Sequence, residues 1–164
     1  VTGKGELNVK NGRGSLESEG SYGDFALQLE CFSNGKHLNS GIFFRSIPGQ
    51  MNNGYECQIR NEYKGGDRNQ PVDFGTGGIY RREPGRRVTA RGFAWFPMTL
   101  VVTGPHMAAW VNGIQVSDWT DTRKPSANPR EGLRTEAGTL QIQGHDPTTD
   151  LSFRNLRIAE IPKR

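Results

Sequence analysis

The chain has 164 residues, a formal charge of +4 at pH 7 and only 33% hydrophobic residues. This length suits one domain with one core, and no run of 18 apolar residues predicts a membrane-spanning helix. The 22 glycines and 9 prolines, together with the absence of a convincing amphipathic pattern, favour an all-β domain.

Short segments with period-two alternation follow one another along the chain, separated by turn signals. Asn-Gly pairs at positions 11–12 and 112–113 each stand between apolar segments, which is typical of a β-hairpin. Residues 61–77 and 121–136 are polar and rich in Gly or Pro, so they predict long loops, which in compact domains are often functional. In chain order, the predicted strands cover residues 6–9, 13–17, 25–31, 41–45, 54–61, 78–81, 98–103, 108–116 (a hairpin) and 139–145.

A further strand is predicted around residues 151–158, and its apolar pattern changes parity. Leu151 and Phe153 stand at odd positions, whereas Leu156 and Ile158 stand at even positions, so simple alternation would put the two pairs on opposite faces of the strand. A β-bulge near residues 154–155 inserts one extra residue and keeps all four side chains inward. About ten such strands predict a sandwich or barrel.

Two further features have mainly structural interpretations. Cys31 and Cys57 fall on the apolar sides of predicted strands, so we expect buried free thiols, although sequence alone leaves a disulfide open. The stretch RREPGRRVTAR at positions 81–91 is either a polyanion-binding patch or a solvated loop. The second is favoured because no aromatic residue lies between the arginines, and we predict no nucleic-acid partner.

The segment GYECQIRN at positions 54–61 carries an unusual polar side. Tyr55, Cys57 and Ile59 alternate with polar residues, which predicts a half-buried strand. Its other face presents an acid, an amide and a guanidinium in a row, namely Glu56, Gln58 and Arg60. Alone, this row is also compatible with ordinary cross-strand pairs on a surface.

Other strands repeat the same feature. Gln141, Gln143 and His145 alternate with Leu140 and Ile142, and Arg45 ends another strand. If these faces share one sheet, they display groups that suit the vicinal hydroxyls of a sugar. Three aromatic residues are candidates for stacking on a sugar ring, although a core position is favoured for the last: Tyr80, Trp95 and Trp110.

Five segments together resemble the 3-keto-disaccharide hydrolase family over residues 5–161. They are, in chain order, NSGIFFR, GYECQIRN, TGGIYRR, WVNGIQV and GHDPTTDLSFRNLRIAEI. The resemblance implies a concanavalin A-like lectin/glucanase fold, a jelly-roll β-sandwich of two curved antiparallel sheets with little helix. It also implies a bacterial protein that is exported to the periplasm or the extracellular space.

The resemblance bears on domain organisation too. Residues 1–164 are predicted to be a single sandwich domain. Family members usually begin with a segment upstream of the first strand seen here, so we expect that this N-terminal segment is missing or that a neighbouring domain supplies an edge strand.

The family activity is hydrolysis of 3-keto-glycosides or disaccharides. Ordinary glycosidases use two carboxylates, but the strand at 54–61 offers one. A ketone at C3 acidifies the C2 hydrogen, so one base, one acid and one cation suffice for elimination and rehydration. Glu56 and His145 are the predicted catalytic residues, either one as base or acid. The predicted substrate-binding residues are Arg45, Gln58, Arg60, Tyr80 and Gln143, with Arg45 or Arg60 stabilising the oxyanion.

Two rival interpretations stay open. The same face suits a non-catalytic carbohydrate-binding module of a larger exported protein, or the sandwich only packs against a partner domain. A catalytic pair requires Glu56 and His145 within about one sugar's reach of each other. No cofactor and no metal are predicted, although Asp146 and Asp150 are oxygen donors of the kind calcium binds.

Overall fold

The computed structural model describes residues 1–162, which form ten strands and no helix, so no helix there is long and apolar enough to cross a membrane. The strands are β1 (Leu7–Lys10), β2 (Gly14–Tyr22), β3 (Phe25–Ser33), β4 (Asn39–Ser46), β5 (Tyr55–Arg60), β6 (Trp95–Thr103), β7 (His106–Val111), β8 (Ile114–Thr120), β9 (Gly138–Gly144) and β10 (Asp150–Glu160).

The strands form two antiparallel sheets that pack as a β-sandwich, as predicted. One sheet has six strands in the order β1-β10-β3-β6-β7-β8, and the other has four in the order β2-β9-β4-β5. Neighbours in space are often distant in sequence, because β9 lies between β2 and β4. The four-stranded sheet therefore collects polar side chains from both halves of the chain.

The core lies between the sheets and follows the predicted parity. Tyr55, Cys57 and Ile59 of β5 are each no more than 3% exposed and join the central apolar cluster. Burying each large apolar side chain contributes about 1.5–3 kcal/mol relative to exposing it. The other predicted core residues are also buried, except that Leu140 is only partly so: Phe25, Leu27, Leu29, Leu140 and Ile142.

Both cysteines are free and buried, as predicted. Burial raises the pKa of the Cys57 thiol to about 12, so this group stays protonated and serves as core filler.

The bulge predicted in β10 is present. Its pairing with β3 shifts register between Arg154 and Arg157, and Asn155 adopts a left-handed φ of 54°. Ile158 packs against the core, but Leu156 is 45% exposed, which corrects the expectation that it is inward and buried. Leu156 instead lines an apolar groove that opens at the edge of the sandwich.

The short strand predicted at residues 78–81 is not formed. Ile79 makes only isolated bridges, to Cys57 and to Glu83. The backbone nevertheless follows the free edge of β5: the amide of Gln58 donates to the carbonyl of Gly78 at 2.8 Å. The loop that begins after β5 therefore returns along the same strand and borders its polar side.

Candidate functional site

The side of the four-stranded sheet that points away from the core is called the outer face below. Phe43 pairs with Glu56 on one side and with Gln141 on the other, so these three residues form one row across the face. Their neighbours along each strand, Ile42 among them, belong to the core. The alternation that buries one set of side chains thus fixes the other set on the outer face.

Glu56 lies at the centre of this site. Its side chain is 5% exposed, and its Oε2 lies 3.4 Å from Nη2 of Arg130. Burial raises the pKa of Glu56 to about 7; the charge of Arg130 opposes this effect, and the charge of Asp73 adds to it. Near neutral pH the carboxyl is therefore poised to take up or release a proton.

A glycine makes room for this carboxyl. Gly41 of β4 lies beside Glu56, and a Cβ added there would come within 2.6 Å of Oε1 of Glu56. Only hydrogen fits, so the side chain of Glu56 folds over the backbone of the neighbouring strand.

Gln58 is held by an aspartate from the loop. Its Nε2 donates to Oδ2 and to the carbonyl oxygen of Asp73, both at 3.0 Å. Asn39 of β4 donates to the same Oδ2 at 3.2 Å. Asp73 thereby places a second carboxylate on the outer face, supplied by the predicted 61–77 loop and not by a strand.

Tyr80 borders Glu56 on the free edge of β5. Its amide donates to the carbonyl of Glu56 at 2.9 Å, and the alternate residue Ile79 is fully buried. The Tyr80 ring therefore lies on the outer side, where it packs edge-on against Phe74 with ring centroids 5.2 Å apart. The guanidinium of Arg81 lies 5.4 Å from the same ring.

Arg130 enters from the loop between β8 and β9. Its Nε and Nη2 donate to the carbonyl of Asn52 at 3.2 and 3.0 Å, and its guanidinium lies 5.0 Å from the centroid of Phe43. These contacts fix a permanent positive charge beside Glu56. No local pattern marked Arg130 as a site residue, because the contact spans 74 positions in sequence.

The two glutamines of β9 differ in how far their amides are already engaged. Gln141 accepts from the amide of Asn52 at 2.8 Å and donates to the carbonyl of Gln50 at 3.1 Å. Gln143 is 7% exposed, and within residues 1–162 its Oε1 has no hydrogen-bond partner. A buried acceptor without a partner costs free energy, so Gln143 is the better placed of the two to receive a ligand hydroxyl.

Arg60 and His145 lie further along the same face. Arg60 donates from Nε to Oε2 of Glu62 at 2.9 Å, and this ion pair partly compensates the charge of Arg60. His145 follows the end of β9, and its Nδ1 lies 2.7 Å from Oδ2 of Asp146. Strands about 4.8 Å apart with a rise of about 3.3 Å per residue put the Cα atoms of His145 and Glu56 about 16 Å apart. Among the described residues, no hydrogen bond or ion pair joins the side chains of the predicted acid and base.

Arg45 does not reach the outer face, which corrects its expected position. A bulge between Phe43 and Ser46 gives Arg45 a left-handed φ of 48°, and its side chain is fully buried. The guanidinium donates to Asp24 at 2.8 Å and to three carbonyl oxygens, including that of Gly104 at 2.6 Å. These contacts join loops at one end of the sandwich, so Arg45 has a structural role.

The tryptophans proposed for stacking lie on the other sheet. Trp110 pairs with Thr99 and is half-buried rather than central to the core. Trp95 packs against Arg154, whose guanidinium is 3.9 Å from its ring. Of the three predicted aromatic residues, Tyr80 is the one beside Glu56.

The fold and this outer face define a carbohydrate-active domain. A carboxyl of raised pKa lies among amides, an arginine and a tyrosine, on one face of a β-sandwich. The chain matches the model of the 3-keto-alpha-glucoside-1,2-lyase-like domain over residues 1–159 and belongs to that family. Comparison with curated proteins finds no match.

Several solved structures share this fold. A putative glycosyl hydrolase from Parabacteroides distasonis superposes with a TM-score of 0.75 at 21% identity, covering 96% of this chain and 88% of the other. A second one from that organism has a TM-score of 0.73 at 16% identity, with 96% and 81% covered. The carbohydrate-binding module CBM66 from Bacillus subtilis has a TM-score of 0.66 at 12% identity, with 95% and 96% covered.

Proposed function

We propose that the outer face binds a 3-keto-glucoside and breaks its glycosidic bond by elimination, with Glu56 as the base. The observation that carries this proposal is the buried Glu56 carboxyl with a pKa of about 7, held beside Arg130. A base of that pKa is half ionised at neutral pH and still strong enough to accept a proton. The family's lyase-like description supports the same type of reaction.

The chemistry balances without a cofactor. The ionised Glu56 carboxylate removes the C2 proton, and the C2–H electrons form an enolate whose charge lies on the C3 oxygen. The enolate then collapses, the C1–O bond breaks, and the departing oxygen takes a proton from the newly protonated Glu56. Water added across the C1–C2 double bond gives the 3-keto sugar and completes a net hydrolysis.

Arg130 replaces Arg45 and Arg60 as the group that stabilises the enolate. It is fixed by Asn52 and stacked on Phe43, so it is oriented before the substrate arrives. Preorganised donors of this kind stabilise a developing oxyanion more than mobile ones. Gln143 offers its unpartnered amide oxygen to a sugar hydroxyl, and Tyr80 offers its ring, whereas Gln58 is buried and its amide is already bound to Asp73.

His145 has no part in this step. The Cα atoms of the two residues are about 16 Å apart, and the His145 ring contacts Asp146 rather than Glu56. It stands at the far end of the face, where it is available to a second sugar ring. One carboxyl therefore acts first as base and then as acid.

The test is release of aglycone from a panel of 3-keto and ordinary glucosides. Wild-type protein should release aglycone from the 3-keto series and leave the ordinary glucosides intact, since only the ketone acidifies C2. Glu56→Gln should abolish turnover while largely sparing binding, and Glu160→Gln, an exposed carboxyl on β10, should retain full activity. Equal turnover by wild type and Glu56→Gln would overturn the proposal.

A second candidate function is a non-catalytic carbohydrate-binding module. Two points favour it: the fold is shared with CBM66, and sheet spacing puts the Cα atoms of Glu56 and His145 about 16 Å apart. In that case no glycoside is turned over, and Glu56→Gln weakens sugar binding by about 1–3 kcal/mol through one lost hydrogen bond. In either case we propose an exported protein, which detection in a culture supernatant or periplasmic fraction would test.

A further inference from the structure

A second cleft opens at the end of the sandwich where β5 ends and β6 begins. Its volume is about 390 Å³, which falls within the usual range for small-ligand sites. We call it the basic cleft. No acidic residue among the described ones lines it. Its wall carries four basic side chains and two aromatic rings: Lys36, His37, Arg68, Arg91, Tyr63 and Phe93.

Internal contacts fix the walls of the basic cleft. Arg68 donates to the carbonyl of Val88 at 2.7 Å, and its guanidinium lies 4.8 Å from the centroid of Tyr63. The turn after β3 touches the segment before β6 so closely that a Cβ on Gly92 would lie 2.7 Å from the carbonyl oxygen of Gly35. This contact sets the segment carrying Lys36 beside the one carrying Arg91.

Two cations of the cleft are left free to meet a ligand. Lys36 and Arg91 are both exposed, and within residues 1–162 neither side chain forms a hydrogen bond or an ion pair. The two acids nearest to Arg68 in sequence make other contacts and do not line the cleft: Asp67 accepts from the amide of Asn69 at 2.9 Å, and Asp73 accepts from Gln58 at 3.0 Å. Because its lining contains these two unpaired cations and no acidic residue among the described ones, the cleft carries an excess of positive charge.

Phe93 adds an aromatic surface at the mouth of the cleft. Its side chain is 61% exposed, and its backbone has a left-handed φ of 59°, which is uncommon for a bulky residue. The amide of Phe93 donates to the carbonyl of Ser33 at 2.8 Å, which holds this conformation. Exposing an aromatic ring on a strained backbone is costly, and such strain concentrates at ligand sites.

We propose that the basic cleft binds an acidic sugar, with the anionic group between Lys36 and Arg91 and one face of the ring on Phe93. Guanidinium and ammonium groups form charge-assisted hydrogen bonds with carboxylates. An exposed ring beside them suits the apolar face of a pyranose, whereas an inorganic anion has no apolar face to pack against the ring. The chemistry therefore selects a uronic acid unit over a neutral sugar.

This binding site is separate from the Glu56 chemistry. Asn61, which also lines the cleft, stands five residues beyond Glu56, so about 17 Å of extended strand divides the two sites. That distance places a carboxylated sugar two or more rings away from the reacting bond of a bound glycan. Binding in the basic cleft does not depend on turnover, and Glu56→Gln should leave it unchanged.

The experiment compares cellobiose with cellobiouronic acid, which differ only in the C6 carboxylate, and uses inorganic phosphate as a third ligand. Binding is measured by calorimetry and located by backbone amide shifts. We expect the acidic disaccharide to bind about tenfold or more tightly than cellobiose and to shift the amides of residues 36–37 and 91–93. Raising the salt from about 0.05 to 0.5 M should weaken this binding, since exposed charges are screened.

Two variants separate the parts of the site, and the charge variant has a matched control. Lys36→Gln combined with Arg91→Gln should remove most of the preference for the acidic disaccharide. Lys124→Gln combined with Arg86→Gln removes the same charge from exposed residues outside the cleft and should leave the preference intact. Phe93→Gly removes the ring but suits the left-handed backbone, so it should weaken binding without lowering the melting temperature.

Three results would overturn the proposal. One is equal affinity for the neutral and the acidic disaccharide, and another is phosphate binding as tight as that of the acidic sugar. The third is an equal loss in both double variants, which would assign the effect to net charge. If the Lys36/Arg91 variant fails to fold, unchanged binding by Phe93→Gly still contradicts the predicted stacking.

Discussion

Replacing Glu56 by glutamine should change how stability depends on pH. Burial raises the pKa of Glu56 from 4.5 to about 7 in the folded protein. Between these values the folded state holds a proton that the unfolded state has released, so the free energy of unfolding falls as pH rises. A shift of about 2.5 units corresponds to about 3 kcal/mol lost between pH 4 and 8, at about 1.4 kcal/mol per unit.

Glu56→Gln keeps the shape of the side chain and removes this titration. Urea unfolding at a series of pH values should show wild type losing about 3 kcal/mol relative to Glu56→Gln across that range. The difference should develop between about pH 4.5 and 7 and level off above that. Glu160→Gln, on the exposed part of β10, should follow the wild-type curve. A constant difference between wild type and Glu56→Gln at all pH values would refute the raised pKa.

Three other substitutions each test one contact described above. Arg130→Gln removes the largest effect that lowers the pKa of Glu56, so the rising limb of the pH–rate profile should move to higher pH, and turnover should drop about 10²–10³-fold. Gly41→Ala puts a Cβ 2.6 Å from Oε1 of Glu56, so turnover should fall and calorimetry should show a loss of about 1–3 kcal/mol in stability. Arg45→Met leaves Asp24 without its partner and should lower stability by about 3–5 kcal/mol in urea unfolding, while activity per folded molecule stays near wild type.

Sequence could predict which face of the sheet most side chains of the site occupy. The alternation in β5 correctly separated Tyr55, Cys57 and Ile59 from Glu56 and Gln58, because a side chain on a strand has only two faces to choose from. The same rule misplaced Arg45, because a bulge with a left-handed residue reverses the direction that parity assigns. Nothing in the local pattern of GIFFR marks that bulge.

Sequence patterns could not predict the contacts that loop residues make with the strands. The loops at 61–77 and 121–136 were predicted, but Asp73 and Arg130 were not, since each meets its site partner only after the sheets assemble. The distance between Glu56 and His145 could not be predicted for a related reason. Parity puts both residues on one face but does not fix how far apart they lie along it.

The most direct test of the account is the fate of the C2 hydrogen. The protein is incubated with a 3-keto-glucoside in D₂O, and the sugar product is analysed by mass spectrometry and NMR against a control without protein and against Glu56→Gln. Elimination by Glu56 predicts a product that carries deuterium at C2, formed by wild type far above the background of both controls. Aglycone release with hydrogen fully retained at C2 would show direct displacement at C1 and contradict the account.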